Sequence, residues 1–270
     1  MSKKIIIIFI FIWFSQIIQA QIKWPVITQT AKPWTRWWWE GSAVDTPGLK
    51  AAMQLYHQAG WGGLEITPIY GVKGAEDKFI DFLSPKWVKM LAYTLGEAKR
   101  LNLGIDLANA TGWPFGGPWV TPADACKNVN IKTYTLKEGE QLNEMIAFRQ
   151  QSLVRTVSGA PVDIKTLSYP VASNKNLQAY AFDQLRYEMP LALNTLMAYN
   201  GKGEVIELTG KVDGGGKLDW TAPAGNWKLI ALFIGWHGKM VERAAPGGEG
   251  DVIDHFNEDS LKHYLDKFDD

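Results

Sequence analysis

The chain has 270 residues, in which 28 lysines and arginines balance 28 aspartates and glutamates, so its formal net charge is zero. This balance, without a clustered stripe of Lys or Arg, excludes a protein that binds nucleic acid through a basic surface. The single cysteine, Cys126, excludes an internal disulfide bond. Its expected role is that of a small buried hydrophobe.

The first twenty residues predict a secretory signal peptide. Lys3 and Lys4 precede an uninterrupted apolar run at 5–14, and cleavage after Ala20 would leave Gln21 as the new N-terminus. The apolar run has only half of the roughly 20 residues that a membrane-spanning helix needs. We therefore expect an exported protein, periplasmic or extracellular, with no stable membrane insertion after signal cleavage.

Thirteen tryptophans are the most unusual feature of the composition. A flat indole ring can stack on the C–H face of a sugar, which suits a carbohydrate-binding cleft. Tryptophan also fills large hydrophobic cores. Composition alone therefore leaves both interpretations open, and the positions of the tryptophans along the chain have to decide between them.

Strand and helix patterns alternate between residues 33 and 126. Strands are predicted at 34–39, 63–67 and 104–108, and apolar residues at helical spacing lie between them. Thr46 before Pro47 and Ser84 before Pro85 are typical helix starts, with a capping hydroxyl and a proline in the first turn. Such a β-α-β-α-β series builds a parallel sheet with helices outside it.

The pattern changes to short alternating strands and glycine-rich turns at 127–236, which predicts an inserted all-β sandwich. From 237 to 270 a Gly/Pro-rich loop leads to a final helix. The sequence therefore predicts an α/β fold, a partial (β/α)8 TIM-type barrel that is interrupted by the sandwich and then resumes. Because a complete barrel takes about 250 residues, only about half is present, and we expect the natural chain to continue. A doubly wound domain with a β insertion is the alternative.

Aromatic and polar residues gather at the predicted strand ends, where (β/α) barrels carry their functional groups. Trp39 and Glu40 end the first strand. Glu65 lies inside an apolar strand, where an ionised carboxylate is costly without a partner, so it is a site residue or half of an ion pair. Asn109 and Trp113 follow the third strand. We rate Asp106, in mid-strand, as structural.

The loop at 245–250 lacks the pattern of a phosphate-binding loop, and no GxGxxG motif precedes it, so nucleotide binding is excluded. Glu249, Asp251 and Asp254 could bind calcium through their oxygen atoms, but their spacing fits no EF-hand. No other cofactor is evident from the sequence.

Five segments together carry a resemblance to a known family. They are PWTRWWWEG at 33–41, GGLEITPIYG at 62–71, TGWPFGGPWV at 111–120, RAAPGGEG at 243–250 and DHF at 254–256. In these motifs, and from about residue 33 to the last one, the chain resembles glycoside hydrolase family 106, the α-L-rhamnosidase-like enzymes. The resemblance implies an exported enzyme, much longer than this chain, that removes α-linked L-rhamnose from pectic or other plant glycans with inversion.

The resemblance also implies where the chemistry lies. We expect the catalytic acid and base beyond Asp270, so that this part of the chain binds substrate without supplying that pair and is inactive alone. Its expected substrate-binding residues are Trp39, Glu40, Glu65, Asn109, Trp113 and Glu249. The competing hypothesis is a non-catalytic glycan-binding protein that uses the β-sandwich and the aromatic cleft. A related glycosidase with another sugar specificity is a third.

Overall fold

A computed structural model describes residues 24–159, 161–167 and 182–269. The described residues contain three α-helices, which are Thr46–Gln58 (α1), Pro85–Leu101 (α2) and Glu258–Leu265 (α3). Their strands are Trp34–Glu40 (β1), Gly63–Ile69 (β2), Gly104–Leu107 (β3), Gly116–Gly117 (β4), Lys127–Lys137 (β5), Phe148–Gln150 (β6), Leu153–Thr156 (β7), Phe182–Arg186 (β8), Met189–Leu191 (β9), Leu193–Asn200 (β10), Val205–Glu207 (β11), Asn226–Trp236 (β12) and Asp251–Val252 (β13). The predicted signal peptide at 1–20 lies outside the described residues.

Strands β1, β2 and β3 form a parallel sheet with β2 in the middle. The helix that joins the first two strands begins one residue earlier than the sequence suggested. Asp45 is its N-cap, and the Asp45 carboxylate accepts a hydrogen bond from the Gly48 N–H at 2.8 Å. The second helix begins as predicted, because the Ser84 hydroxyl accepts a hydrogen bond from the Trp87 N–H at 3.3 Å.

Both helices cover the same face of this parallel sheet. Strand side chains alternate between the two faces of a sheet, and the apolar set of β1 and β2 packs against the helices. The buried residues of this core include Trp39, Leu49, Met53, Leu64, Ile66, Trp87, Met90, Ala98 and Leu101. Of the described helices, neither α1 nor α2 covers the opposite face of the parallel sheet, and the candidate site lies there.

A second core belongs to a four-stranded antiparallel sheet in the order β11-β10-β12-β5. Strand β12 is fully paired with β5, from Asn226 opposite Lys137 to Trp236 opposite Lys127. Every second residue of β12 is buried. On this inner face, Leu229, Ala231 and Phe233 of β12 form a core with Leu196 and Ala198 of β10. Two short ribbons, β6-β9 and β7-β8, accompany this sheet.

The C-terminal residues pack onto the loops that follow β3. Strand β13 pairs antiparallel with β4, and helix α3 places Tyr264 in a small core with Val120, Trp236 and Ile253. The Trp236 indole N–H donates to the Asp251 carboxylate at 3.1 Å, which attaches the end of β12 to this region. This last segment therefore contacts both the four-stranded sheet, through Trp236, and the loops that follow the parallel sheet.

The predicted partial (β/α)8 barrel interrupted by an all-β sandwich is wrong. Most regular elements of the described residues are β-strands, beside three α-helices, and they form no closed barrel. Nor does the last segment resume the parallel sheet, because its strand β13 pairs antiparallel with β4. The physical reason is that alternating strands and helices suit an open parallel sheet as well as a barrel. Alternation therefore could not specify closure.

Within residues 24–159, 161–167 and 182–269, no helix is both long and apolar enough to cross a membrane.

Candidate functional site

The face of the parallel sheet that carries no helix is lined by polar and aromatic side chains. Arg36 on β1, Glu65 on β2 and Asp106 on β3 lie beside one another in the sheet register. Trp38, the next residue of β1 on the same face after Arg36, is 44% exposed. The three charged residues lie at matched positions on neighbouring strands, and this part of the face reaches solvent, whereas Thr67 further along β2 is buried.

Arg36 and Glu65 form a two-point ion pair. The Arg36 Nε and Nη2 atoms lie 3.2 Å from the two carboxylate oxygens of Glu65. This parallel geometry is the strong form of an Arg–carboxylate contact. The sequence left Glu65 as a site residue or half of an ion pair, and the structure shows the ion pair at a half-exposed position. Its carboxylate oxygen atoms can still accept hydrogen bonds from a ligand.

Two tryptophans complete the group. The Arg36 guanidinium lies 5.4 Å from the centre of the Trp38 ring and 6.0 Å from that of Trp113. The two rings meet edge to face with their centres 5.9 Å apart, and Trp113 is 38% exposed. Arg36, Trp38, Glu65 and Trp113 are called the Arg36 cluster below. The cluster combines apolar ring faces with fixed polar groups on an open surface.

Distant parts of the chain hold Trp113 over the sheet. The backbones of Trp113 and Glu242 exchange two hydrogen bonds, of 3.1 and 2.7 Å. On the same loop, the Thr111 hydroxyl donates to the Gly248 carbonyl at 3.2 Å. Residues 242–248 therefore help to hold the loop after β3 in position.

Helix α3 fixes the start of that loop. The Tyr264 hydroxyl donates to the Asn109 carbonyl at 2.6 Å and contacts the Gly116 carbonyl at 3.3 Å. Burial raises the pKa of Tyr264 well above its usual range, so the hydroxyl stays protonated and remains a donor. The final helix thus positions a loop that belongs to the parallel sheet.

The structure brings together two of the six predicted site residues, Glu65 and Trp113. Trp39 lies on the opposite face of β1, fully buried, with its ring 5.9 Å from Trp37 and 5.8 Å from Trp87. The Trp39 ring has no exposed face for a sugar, and it packs in the core instead. The exposed tryptophan of this strand is its neighbour, on the face of the Arg36 cluster.

The other three predicted residues are Glu40, Asn109 and Glu249, which lie after or at strand ends and in the loop at 245–250. Glu40 is exposed at the end of β1, opposite Ile69 of β2. Asn109 is exposed on the loop that follows β3 and carries Trp113. Glu249 is half-buried and accepts a hydrogen bond from the Gly247 N–H at 2.9 Å within its own loop.

Sequence reasoning missed Arg36 and Trp38 as site residues. The sequence did contain a sign of Arg36, because Arg36 is as far from the start of β1 as Glu65 is from the start of β2. Strand alternation also separated Trp38 from its two neighbours. The sequence did not indicate on which face of the sheet the helices pack.

The possible calcium ligands do not converge. Asp251 is buried and accepts the Trp236 indole N–H, and Asp254 accepts the Phe256 N–H at 3.0 Å. Among the described residues, no group of three or more His, Cys, Asp or Glu side chains could hold a metal ion. Calcium binding thus stays a weak expectation from the sequence.

Comparison with known proteins decides the family. The family model for glycoside hydrolase family 106, described as alpha-L-rhamnosidase, matches residues 26–153 and 174–270. The chain belongs to this family. The resemblance seen in the sequence motifs is thereby confirmed.

Two relatives of this family 106 chain are longer proteins. A protein of Formosa agariphila, provisionally named beta-glucuronidase, is 26% identical over 247 residues, which are 87% of this chain and 20% of that protein. The structure of a rhamnosidase from Novosphingobium sp. PP1Y matches with a TM-score of 0.60 at 16% identity, and the match covers 90% of this chain and 36% of that one. The second likeness shows a shared fold. The family 106 chain thus spans a minor part of both proteins.

Proposed function

We propose that this family 106 chain supplies part of the sugar-binding surface of an exported, inverting α-L-rhamnosidase that acts on pectic or other plant glycans. The observation that carries the proposal is the Arg36 cluster, an exposed two-point Arg–Glu pair flanked by two exposed tryptophans. Binding sites combine apolar surface with a few well-placed polar groups, and the cluster has this composition.

The proposed roles follow from the geometry. Trp38 and Trp113 offer exposed ring faces to the C–H surface of a deoxy-sugar, whose methyl group adds apolar area. Glu65 accepts hydrogen bonds from sugar hydroxyl groups, and Arg36 holds its carboxylate in position. The cluster is thus proposed as a binding surface. An inverting glycosidase needs in addition an acid and a base roughly 6.5–9.5 Å apart.

The test of this surface is a binding measurement on the Glu65→Gln variant. L-Rhamnose and a rhamnosyl disaccharide are titrated into the full chain by calorimetry. A hydrogen bond to a charged group is worth about 1.5–3 kcal/mol, so we expect the dissociation constant to rise roughly 10- to 100-fold. The Trp113→Ala variant is expected to weaken binding in the same direction.

A matched control is available on helix α2, where Glu97 and Arg100 form another Arg–Glu pair, away from the sheet. The Glu97→Gln variant should bind rhamnose like the unchanged protein. Equal binding by the Glu65→Gln, Trp113→Ala and unchanged proteins would refute the proposed surface. Lost turnover of a rhamnoside with unchanged binding would make Glu65 a catalytic residue.

Specificity, stereochemistry and export have separate tests. Aryl α-L-rhamnoside and aryl β-glucuronide are compared as substrates of the native enzyme, because one relative carries a beta-glucuronidase name. The anomer that is first released, read by proton NMR, distinguishes inversion from retention. An N-terminus at Gln21 in protein from the producing cells supports export, whereas one at Met1 contradicts it.

A further inference from the structure

The outer face of the four-stranded sheet carries a second arrangement of aromatic and polar groups. Its inner face is buried, so the alternate residues of each strand point to the outside. Near the turns at one end of the sheet, Tyr199 of β10 is opposite Lys228 of β12, which is opposite Thr135 of β5. One step along, Lys137 is opposite Asn226. These residues form one corner of the outer face.

An open groove of about 540 Å³ lies at this corner. The volume falls in the range of about 300–1,000 Å³ that is usual for small-molecule sites. The groove residues that matter here are Thr135, Lys137, Glu140, Tyr199, Asn226 and Lys228, and they define the Tyr199 groove. Tyr199 is 38% exposed, so part of its ring is available to a ligand.

The charges of the Tyr199 groove favour an anion. Lys137 and Lys228 supply two ammonium groups, and the one carboxylate, that of Glu140, accepts the Lys137 backbone N–H at 2.7 Å. Lys132, from the same strand β5, is paired instead with Glu144. Within the described part of the chain, neither groove lysine has a comparable ion pair. A ligand carboxylate would give both ammonium groups a partner.

We propose that the Tyr199 groove is a second glycan-binding site, separate from the Arg36 cluster, and that it takes an acidic oligosaccharide containing uronate residues. The Tyr199 ring stacks on the C–H face of a sugar, which suits its large apolar surface. Lys137 and Lys228 pair with the uronate carboxylate, and Thr135 and Asn226 bond to the hydroxyl groups. The inference rests on the proposed action of the protein on glycans.

The test is the binding of an oligogalacturonate to the full chain by calorimetry. The methyl ester of the same oligosaccharide is a matched probe, because it keeps the ring and loses the charge. We expect the acid to bind at least tenfold more tightly than the ester at low salt. The difference should shrink as salt rises, because ions screen exposed charge pairs.

Three variants and one control locate the site. Tyr199→Ala should weaken binding of the acid at least tenfold, whereas Tyr199→Phe keeps the ring and should bind normally. Lys228→Gln should abolish the preference for the acid over the ester. Lys211→Gln, which removes an exposed lysine that does not line the groove, should change nothing.

The outcomes separate this inference from the proposed function. Unchanged acid binding in Tyr199→Ala and Lys228→Gln, or equal binding of acid and ester by the unchanged protein, overturns the Tyr199 groove as a uronate site. If rhamnose binding is still lost in Glu65→Gln, the Arg36 cluster stands without the groove. Acid binding that depends on Tyr199, with no rhamnose binding, supports the groove and refutes the rhamnosidase proposal.

Discussion

Replacing Gly112 by alanine tests whether the loop after β3 is held against residues 242–244. Gly112 has a φ of +83°, a left-handed conformation that suits glycine. A Cβ atom added there would lie 2.0 Å from the Glu242 carbonyl oxygen, 2.9 Å from the Arg243 carbonyl carbon and 3.1 Å from the Ala244 nitrogen. All three are backbone atoms, so no side-chain rotation can relieve the contact.

The expected loss of stability has two contributions. A non-glycine residue in the left-handed region costs about 1–2 kcal/mol. Forcing an extra carbon into a packed contact costs typically about 1–3 kcal/mol. The Gly112→Ala change should therefore lower the free energy of unfolding by about 2–5 kcal/mol. With a urea dependence of about 2–3 kcal/mol per molar, the midpoint should fall by roughly 1–2 M.

The assay is urea unfolding followed by tryptophan fluorescence and circular dichroism. Two glycines provide controls. Gly203 has a φ of +84° and nothing within 4 Å of an added Cβ, so Gly203→Ala measures the conformational cost alone. Gly214 has neither feature, so Gly214→Ala should leave the midpoint unchanged. An equal midpoint for Gly112→Ala and Gly203→Ala would refute the packing of residues 242–244 on this loop.

Three further predictions use the same unfolding assay. Tyr264→Phe removes the donor that serves two loop carbonyls and should cost about 1–2 kcal/mol; an unchanged midpoint would contradict that hydrogen bond. The hydrogen bond to Asp124 raises the pKa of His263 above its usual 6.5. The contribution of this hydrogen bond to stability is complete below pH 6.5 and is lost as the pH rises through the raised pKa. The His263→Gln variant should therefore lose less of its urea midpoint above pH 6.5 than the unchanged protein. Parallel plots of midpoint against pH for the two proteins would refute the pairing. Trp39→Ala should cost about 3–5 kcal/mol as a buried truncation, whereas Trp38→Ala, at an exposed site, should cost far less; similar losses would contradict their assignment to opposite faces.

Local signals in the sequence predicted the elements of the parallel sheet well. The order of strands and helices from β1 to β3 is confirmed, and so is the start of α2 at Ser84. Capping side chains and apolar spacing act within one turn or one strand, so they can be read from neighbouring residues. The family could also be recognised, because its motifs are long contiguous stretches.

The prediction failed where long-range contacts decide. Trp39 was expected in the site and Trp38 was not, although alternation placed them on opposite faces. Which face becomes the core depends on where α1 and α2 pack, and that contact joins residues far apart in the chain. Barrel closure is likewise a property of how strands associate, and the same β-α-β-α-β series suits an open sheet.

Arg36 and Glu65 lie at equivalent places in two predicted strands, so local sequence patterns already give these two side chains matching positions along the chain. The fold makes these side chains meet, because the register of β1 on β2 brings them within hydrogen-bonding distance. It also decides that Trp113 joins them. That tryptophan is held by backbone hydrogen bonds to Glu242, 129 positions away in sequence, and no local pattern in either segment encodes a contact over such a distance.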